Sequence, residues 1–121
     1  MCAMPIREHE FSRVGLLAEL PGQTLRKLSD RMVRESVPAG AEIVSEGDRG
    51  DRFYVVLSGM LSVTQEDRGE RRMLKPGDYF GEVALAMDVR RTASIRALTP
   101  SVVASCDRAT FDEFVRPLFS D

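Results

Sequence analysis

Histidine and cysteine are scarce in this chain: His9 is the only histidine, and Cys2 and Cys106 are the only cysteines, among 121 residues. Three such groups cannot close a four-ligand zinc site. A β-roll oxygenase or isomerase, which grips its metal with several histidines and a carboxylate, is excluded on the same count. There is no Gly-x-Ser-x-Gly elbow and no arguable cysteine–histidine pair, so nothing supports a nucleophilic hydrolase. No apolar run approaches the ~20 residues that span a bilayer. The start, Met1-Cys-Ala-Met-Pro5, lacks both the basic region and the apolar stretch of a secretory signal, and a cytoplasmic location is expected. Positive charge is not in excess either. A net charge of −2, with basic pairs interrupted by Glu66-Asp67 and by Asp48…Asp51, gives no footprint for nucleic acid. Any anion bound here should be small and held at one spot. His9 reads as a solvated residue, Cys106 as a small buried hydrophobe without a disulfide, and Asp48 and Asp51 as turn formers.

What is present is the balance of one ordinary globular domain over residues 1–121, with 43% hydrophobic and 30% charged residues. Residues 10–35 carry a helical period. After Leu16, Leu17 and Leu20, Pro21 suits a first helical position, and Leu25, Leu28 and Met32 make one stripe. Ser36-Val-Pro-Ala-Gly40 ends that pattern. From 37 to 107 the period shortens. Glycines at 40, 47, 59, 69 and 77 keep the turn rhythm of an all-β barrel or sandwich, about eight short strands in all. The run Phe53-Tyr-Val-Val-Leu57 has no polar face and should be buried on both sides. Asp107 is placed as an N-cap, and Phe111, Phe114, Val115 and Leu118 form a final stripe over 108–118, with Pro117 weakening the last turn. The fold class expected is therefore α+β, mainly β: an eight-stranded β-roll or jelly roll with N-terminal helices and a C-terminal helix.

One segment interrupts the strand rhythm. Gly81-Glu-Val-Ala-Leu-Ala86 holds good helix formers but only one to two turns of them, between two strands. Free N–H groups at such a start suit phosphate. Arg91, ten residues on, sits where a returning strand would bring its guanidinium to the same anion, with two parallel donors worth ~1.5–3 kcal/mol each. Glu82 is out of place beside an anion unless its carboxylate accepts a sugar hydroxyl. Each of these has a plainer reading: Arg91 as a surface arginine, Glu82 as a helix-start carboxylate complementing the dipole, Thr92 as a strand residue, and Arg72 as a solvated edge-strand residue beside Arg71.

Phe80-Gly-Glu-Val-Ala-Leu85…Arg91-Thr-Ala-Ser-Ile95-Arg-Ala97 resembles the phosphate-binding cassette of the cyclic-nucleotide-binding domain family. That family includes regulatory domains of cAMP- and cGMP-dependent protein kinases, gated ion channels and bacterial transcription regulators. Ile43-Val-Ser-Glu-Gly-Asp48, Phe53-Tyr-Val-Val-Leu-Ser-Gly59 and Leu74-Lys-Pro-Gly-Asp78 extend the likeness to roughly residues 16–118. The resemblance implies a jelly roll whose cassette lies at 80–93. Arg91 and the N–H groups of Ala84 and Thr92 would hold the cyclic phosphate, and Glu82 with the Gly81 N–H would hold the ribose 2′-hydroxyl. Val83 counts among the ligand-binding positions.

In the family a threonine after the phosphate arginine, here Thr92, accompanies cGMP sites, though channels responding to cAMP also carry it. Arg72 resembles an arginine that reads the guanine edge, whose O6 and N7 suit its fork. Both point to cGMP ahead of cAMP, and most of all to a cGMP-dependent serine/threonine kinase. The domain itself is expected to have no catalytic residues, metal or cofactor, and to act on an effector in the same protein as ligand draws the cassette inward and the tail helix follows. A gated channel or a cAMP-dependent regulatory subunit is the alternative, and a degenerate interaction module is the alternative of another class. The family's lid helix, which closes over the base, is expected to be missing or truncated after Leu118, and the chain to be a fragment of a larger regulatory protein.

Overall fold

The computed structural model describes Phe11, residues 14–66 and residues 69–119; Cys2, His9 and Asp67 lie outside them. Two short helices come first. α1 (Gly15–Ala18) buries Leu17, and α2 (Gly22–Arg31) buries Leu28 and Ser29. Pro21 stands one place before the expected position. Its ψ of 149° is extended, it occupies the N-cap, and its carbonyl accepts the Leu25 N–H at 2.9 Å. Gly22 is the first helical residue.

The helix also stops sooner than its pattern suggests. β1 (Val33–Val37) follows at once and pairs antiparallel with β8 (Ser101–Asp107), in register from Val33 opposite Ser105 to Val37 opposite Ser101. The polar face of Val33-Arg-Glu-Ser-Val37 looks like the back of a helix, but a complete ladder partner overrides that local preference.

The remaining strands are β2 (Glu42–Val44), β3 (Arg52–Ser58), β4 (Leu61–Gln65), β5 (Gly69–Leu74), β6 (Tyr79–Phe80) and β7 (Ser94–Ala97). They form two antiparallel four-stranded sheets, ordered β1-β8-β3-β6 and β2-β7-β4-β5. The eight-stranded, mainly β expectation holds. Every glycine of the turn rhythm, at 40, 47, 59, 69 and 77, has φ between 67° and 99°, the left-handed region that L-residues avoid.

Two cores result, one on each face of the first sheet. Phe53 and Val55 of β3, with Ala104 and Cys106 of β8, face the helices and meet Leu17, Leu28, Phe111 and Val115. Tyr54, Val56 and Val103 face the second sheet and meet Leu61, Leu74, Phe80 and Ile95. The period of two along each strand assigns the sides. Double-sided burial explains why the Phe53–Leu57 run carries no polar face. Cys106 is fully buried, opposite Phe53, and burial pushes its thiol up to about 12.

The C-terminal helix starts as expected: the Asp107 carboxylate accepts the Thr110 N–H at 2.9 Å. Its interior differs from expectation. α4 (Arg108–Thr110) passes into a π-helical turn (Phe111–Val115) and then α5 (Arg116–Phe119). Pro117 accounts for the widening, because its ring collides with the carbonyl four residues back in an α-turn. The proline alters the turn before it, and helix continues to Phe119. No described helix is long and apolar enough to cross a membrane.

Candidate functional site

α3 (Glu82–Ala86) leaves the end of β6 through Gly81, whose φ is 96°. The return path is pinned by main chain. Arg91 N–H donates to the Asp48 carbonyl at 2.8 Å, Gly47 N–H donates to the Arg91 carbonyl at 2.9 Å, and Arg49 bridges to Arg90. Arg91 is therefore on the loop ahead of β7 and not on a strand, as the spacing had suggested. It is anchored from both sides all the same. Gln65 Nε2 holds the next carbonyl, that of Thr92, at 2.9 Å.

This arrangement encloses a cavity of about 180 Å³. All seven residues singled out from the sequence line it: Gly81, Glu82, Val83 and Ala84 from the α3 side, Arg91 and Thr92 from the loop, and Arg72 from β5. Val44, Val63, Phe80, Ala93 and Ile95 complete its wall and were not foreseen. Phe80, Ala93 and Ile95 fall within the quoted cassette motif, while Val44 and Val63 show only the inward half of their strands' alternation.

Arg91 is the best-positioned of the seven. Only 7% of it is exposed. Nη2 donates to the Arg52 carbonyl at 2.9 Å, and the guanidinium lies 5.9 Å from the centre of the Tyr54 ring, itself stacked on Phe80. Nη1 is buried with no hydrogen-bond partner among the described residues. Burial pulls this guanidinium below the ordinary arginine value, opposed by Tyr54, Asp51 and Glu82. Two glycines make room for it. A Cβ on Gly81 would stand 2.8 Å from Nη1, and one on Gly50 would stand 2.9 Å from Nε while colliding with Ala84. Gly50 and Arg52 thus support the site through backbone alone. Glycine in a turn run was the only hint of the first, and nothing in the sequence signals a carbonyl acceptor.

Glu82 lies at the start of α3 with its carboxyl raised above 4.5 by burial. Hydrogen bonds from its own and the Val83 backbone N–H groups oppose that shift, as do the charges of Arg72 and Arg91. The carboxylate and the guanidinium therefore share one cavity wall without forming an ion pair with each other. Arg72 is exposed, opposite Val63 across the β4–β5 ladder. Thr92 is exposed at the cavity edge.

A family profile described as "Cyclic nucleotide-binding domain" matches residues 34–117. The chain belongs to that family. It is 38% identical over 104 residues to a cAMP-dependent protein kinase regulatory subunit of Debaryomyces hansenii, covering 86% of this cyclic nucleotide-binding domain and 23% of the subunit. It is also 38% identical over 114 residues to the cGMP-dependent protein kinase egl-4 of Caenorhabditis briggsae, covering 89% of the domain and 15% of the kinase. The regulatory domain of Toxoplasma gondii PKA, solved with cAMP, superposes with a TM-score of 0.87 at 28% identity, over 92% of this chain and 44% of that one. The chain thus spans about a quarter or less of these curated relatives.

Proposed function

We propose that this domain is a non-catalytic sensor that binds cGMP in preference to cAMP and regulates an effector in the same protein, a serine/threonine kinase in the first instance. The observation that carries the reading is Arg91 Nη1: a buried cationic donor without a partner among the described residues, on a side chain that lines the same cavity as the Glu82 carboxylate. A buried charged donor left unpaired is costly, and a small anion taking that bond removes the cost. A cyclic phosphodiester fits because its single negative charge needs one guanidinium and a few amides, those of Ala84 and Thr92. Glu82 explains why the anion carries a sugar: a carboxylate accepts from a 2′-hydroxyl and repels a second phosphate.

Selectivity rests on Thr92 and Arg72. The Thr92 hydroxyl at the cavity edge would bridge the phosphate and the guanine amino group. Arg72 would face O6 and N7, which adenine does not offer as a pair of acceptors. Relatives of both kinds stand behind this chain, cAMP-dependent and cGMP-dependent, so cAMP is the second reading.

Calorimetric titration with cAMP and cGMP side by side tests both levels. Saturable binding with cGMP tighter is expected. Equal affinities would remove the selectivity argument, and no binding of either would leave a degenerate interaction module.

A further inference from the structure

The C-terminal end of α3 is satisfied from outside its own segment. Of its last four carbonyls, Val83 accepts from Met87 N–H at 3.0 Å and Ala84 from Val89 N–H at 3.2 Å. The other two, Leu85 and Ala86, are taken by arginines of the C-terminal helix. Arg116 Nη2 donates to Leu85 at 3.0 Å and Nη1 to Ala86 at 3.2 Å. Arg108 Nη1 donates to the same Leu85 carbonyl at 3.2 Å, and Nη2 donates to the Gly50 carbonyl at 3.2 Å. Cations at a helix C-terminus also complement its dipole. Asp88, the one described non-glycine residue with positive φ, pairs with Arg108 at 3.5 Å just past the helix.

Two arginines eight residues apart reach one carbonyl only because of the π-turn between them. In an unbroken α-helix, residues eight apart stand about 80° apart around the axis, while residues seven apart stand nearly in line. The π-turn Phe111–Val115 absorbs one extra residue, closed by Arg116 N–H donating to the Phe111 carbonyl. Arg108 and Arg116 are thereby brought onto one face.

We propose that Arg108 and Arg116 are positioning residues, a paired latch that fixes α3 against the C-terminal helix and makes the position of one legible to the other, with the π-turn setting the register. As regulation of the nucleotide site, this rests on the function proposed above. As a statement about what holds α3, it does not. Arg108 adds a second reach. Through Gly50 it touches the segment that clears space for Arg91.

The test is amide hydrogen exchange on the full chain without nucleotide, comparing wild type with Arg108→Met/Arg116→Met, which keeps apolar stems and helix propensity but removes the donors. Exchange at Met87 and Val89 N–H should rise about tenfold or more while Val55 and Val103 N–H are unchanged. Asp112→Ala, which removes the carboxylate held at 2.9 Å by Arg116 but leaves the carbonyl contacts, should not reproduce the effect. Unchanged Met87 and Val89, or an equal rise at all four amides, overturns the latch. A second measurement adds cGMP and cAMP. In wild type, nucleotide should slow exchange in residues 108–119, and the double variant should lose that response while still binding, more weakly. Failure of wild type to bind either nucleotide would count against the sensor reading and leave the ligand-free exchange result to decide the latch.

Discussion

Gly81 and Arg91 are matched by exclusion: a methyl group on Gly81 would stand 2.8 Å from Arg91 Nη1, and the guanidinium reaches the cavity only because that position has no side chain. Gly81 also has φ of 96°, so Ala there is strained before it touches anything. Gly81→Ala should cost about 1–2 kcal/mol of stability and remove most nucleotide binding. Thermal melting and calorimetry on the same sample read the two effects. Wild-type affinity in the variant would show that the close approach is immaterial.

Arg91→Ala should weaken nucleotide binding about a hundredfold or more, since charge and fork go together. Arg91→Lys should recover only part of it, because one ammonium cannot both hold the Arg52 carbonyl and face the cavity in the same plane. Equal affinities for the lysine variant and wild type would mean that charge alone binds the anion.

Thr92→Ala should raise the dissociation constant for cGMP more than that for cAMP, by about tenfold in the ratio. Competition between the two nucleotides on one immobilised sample gives the ratio directly. Parallel losses would assign Thr92 to the phosphate only.

Glu82→Gln separates ligand binding from stability. Burial holds the Glu82 carboxyl above 4.5, so the folded state binds that proton more tightly than the unfolded chain does. Ionisation therefore costs stability as pH rises from about 4.5 through the folded value, and the cost is constant above it. Gln escapes the cost. The ligand-free variant should melt ~1–3 °C higher than wild type at pH 7 and show no advantage below pH 4, while binding nucleotide more weakly. Asp107 runs the other way: its N-cap bonds to Thr110 hold its carboxyl below 3.8, and that stabilisation is lost as pH falls through the lowered value. A higher melting point for Glu82→Gln at pH 4 as well as pH 7 would sink the linkage.

Cys106, pushed up to about 12 and fully buried, should be inert to iodoacetamide at pH 8 in a Cys2→Ser background. Labelling then follows opening of the helix-facing core and should accelerate in step with denaturant. Labelling at the rate of a free thiol in native buffer would place Cys106 outside that core.

The cassette was legible in the sequence because short-range signals coincide there: a glycine before helix formers, a carboxylate beside it, an arginine and a threonine after. The barrel was legible because its turn glycines need left-handed backbone and its central strand needs two apolar faces. β1 was misread as helix because its partner, β8, lies about seventy residues away, and only that ladder makes Val33–Val37 a strand. The positions of Arg108 and Arg116 left no trace for a similar reason. Their acceptors are main-chain carbonyls, which every residue possesses, and the register that aligns them comes from Pro117 acting on the turn before it. Arg91 lines the cavity but was placed on a strand, since spacing counts residues and does not distinguish a loop pinned by Gly47 and Asp48 from a ladder.

β3 is a wall shared by two rooms. Odd-numbered positions, Phe53 and Val55, furnish the helical side, and even-numbered ones, Tyr54 and Val56, furnish the chamber where the Arg91 guanidinium sits over an aromatic ring. Truncating Phe53 and truncating Tyr54 should therefore be heard in different places, although the two are chain neighbours. A lineage could remodel the lining of the chamber by drifting at one parity and leave the helical side untouched at the other.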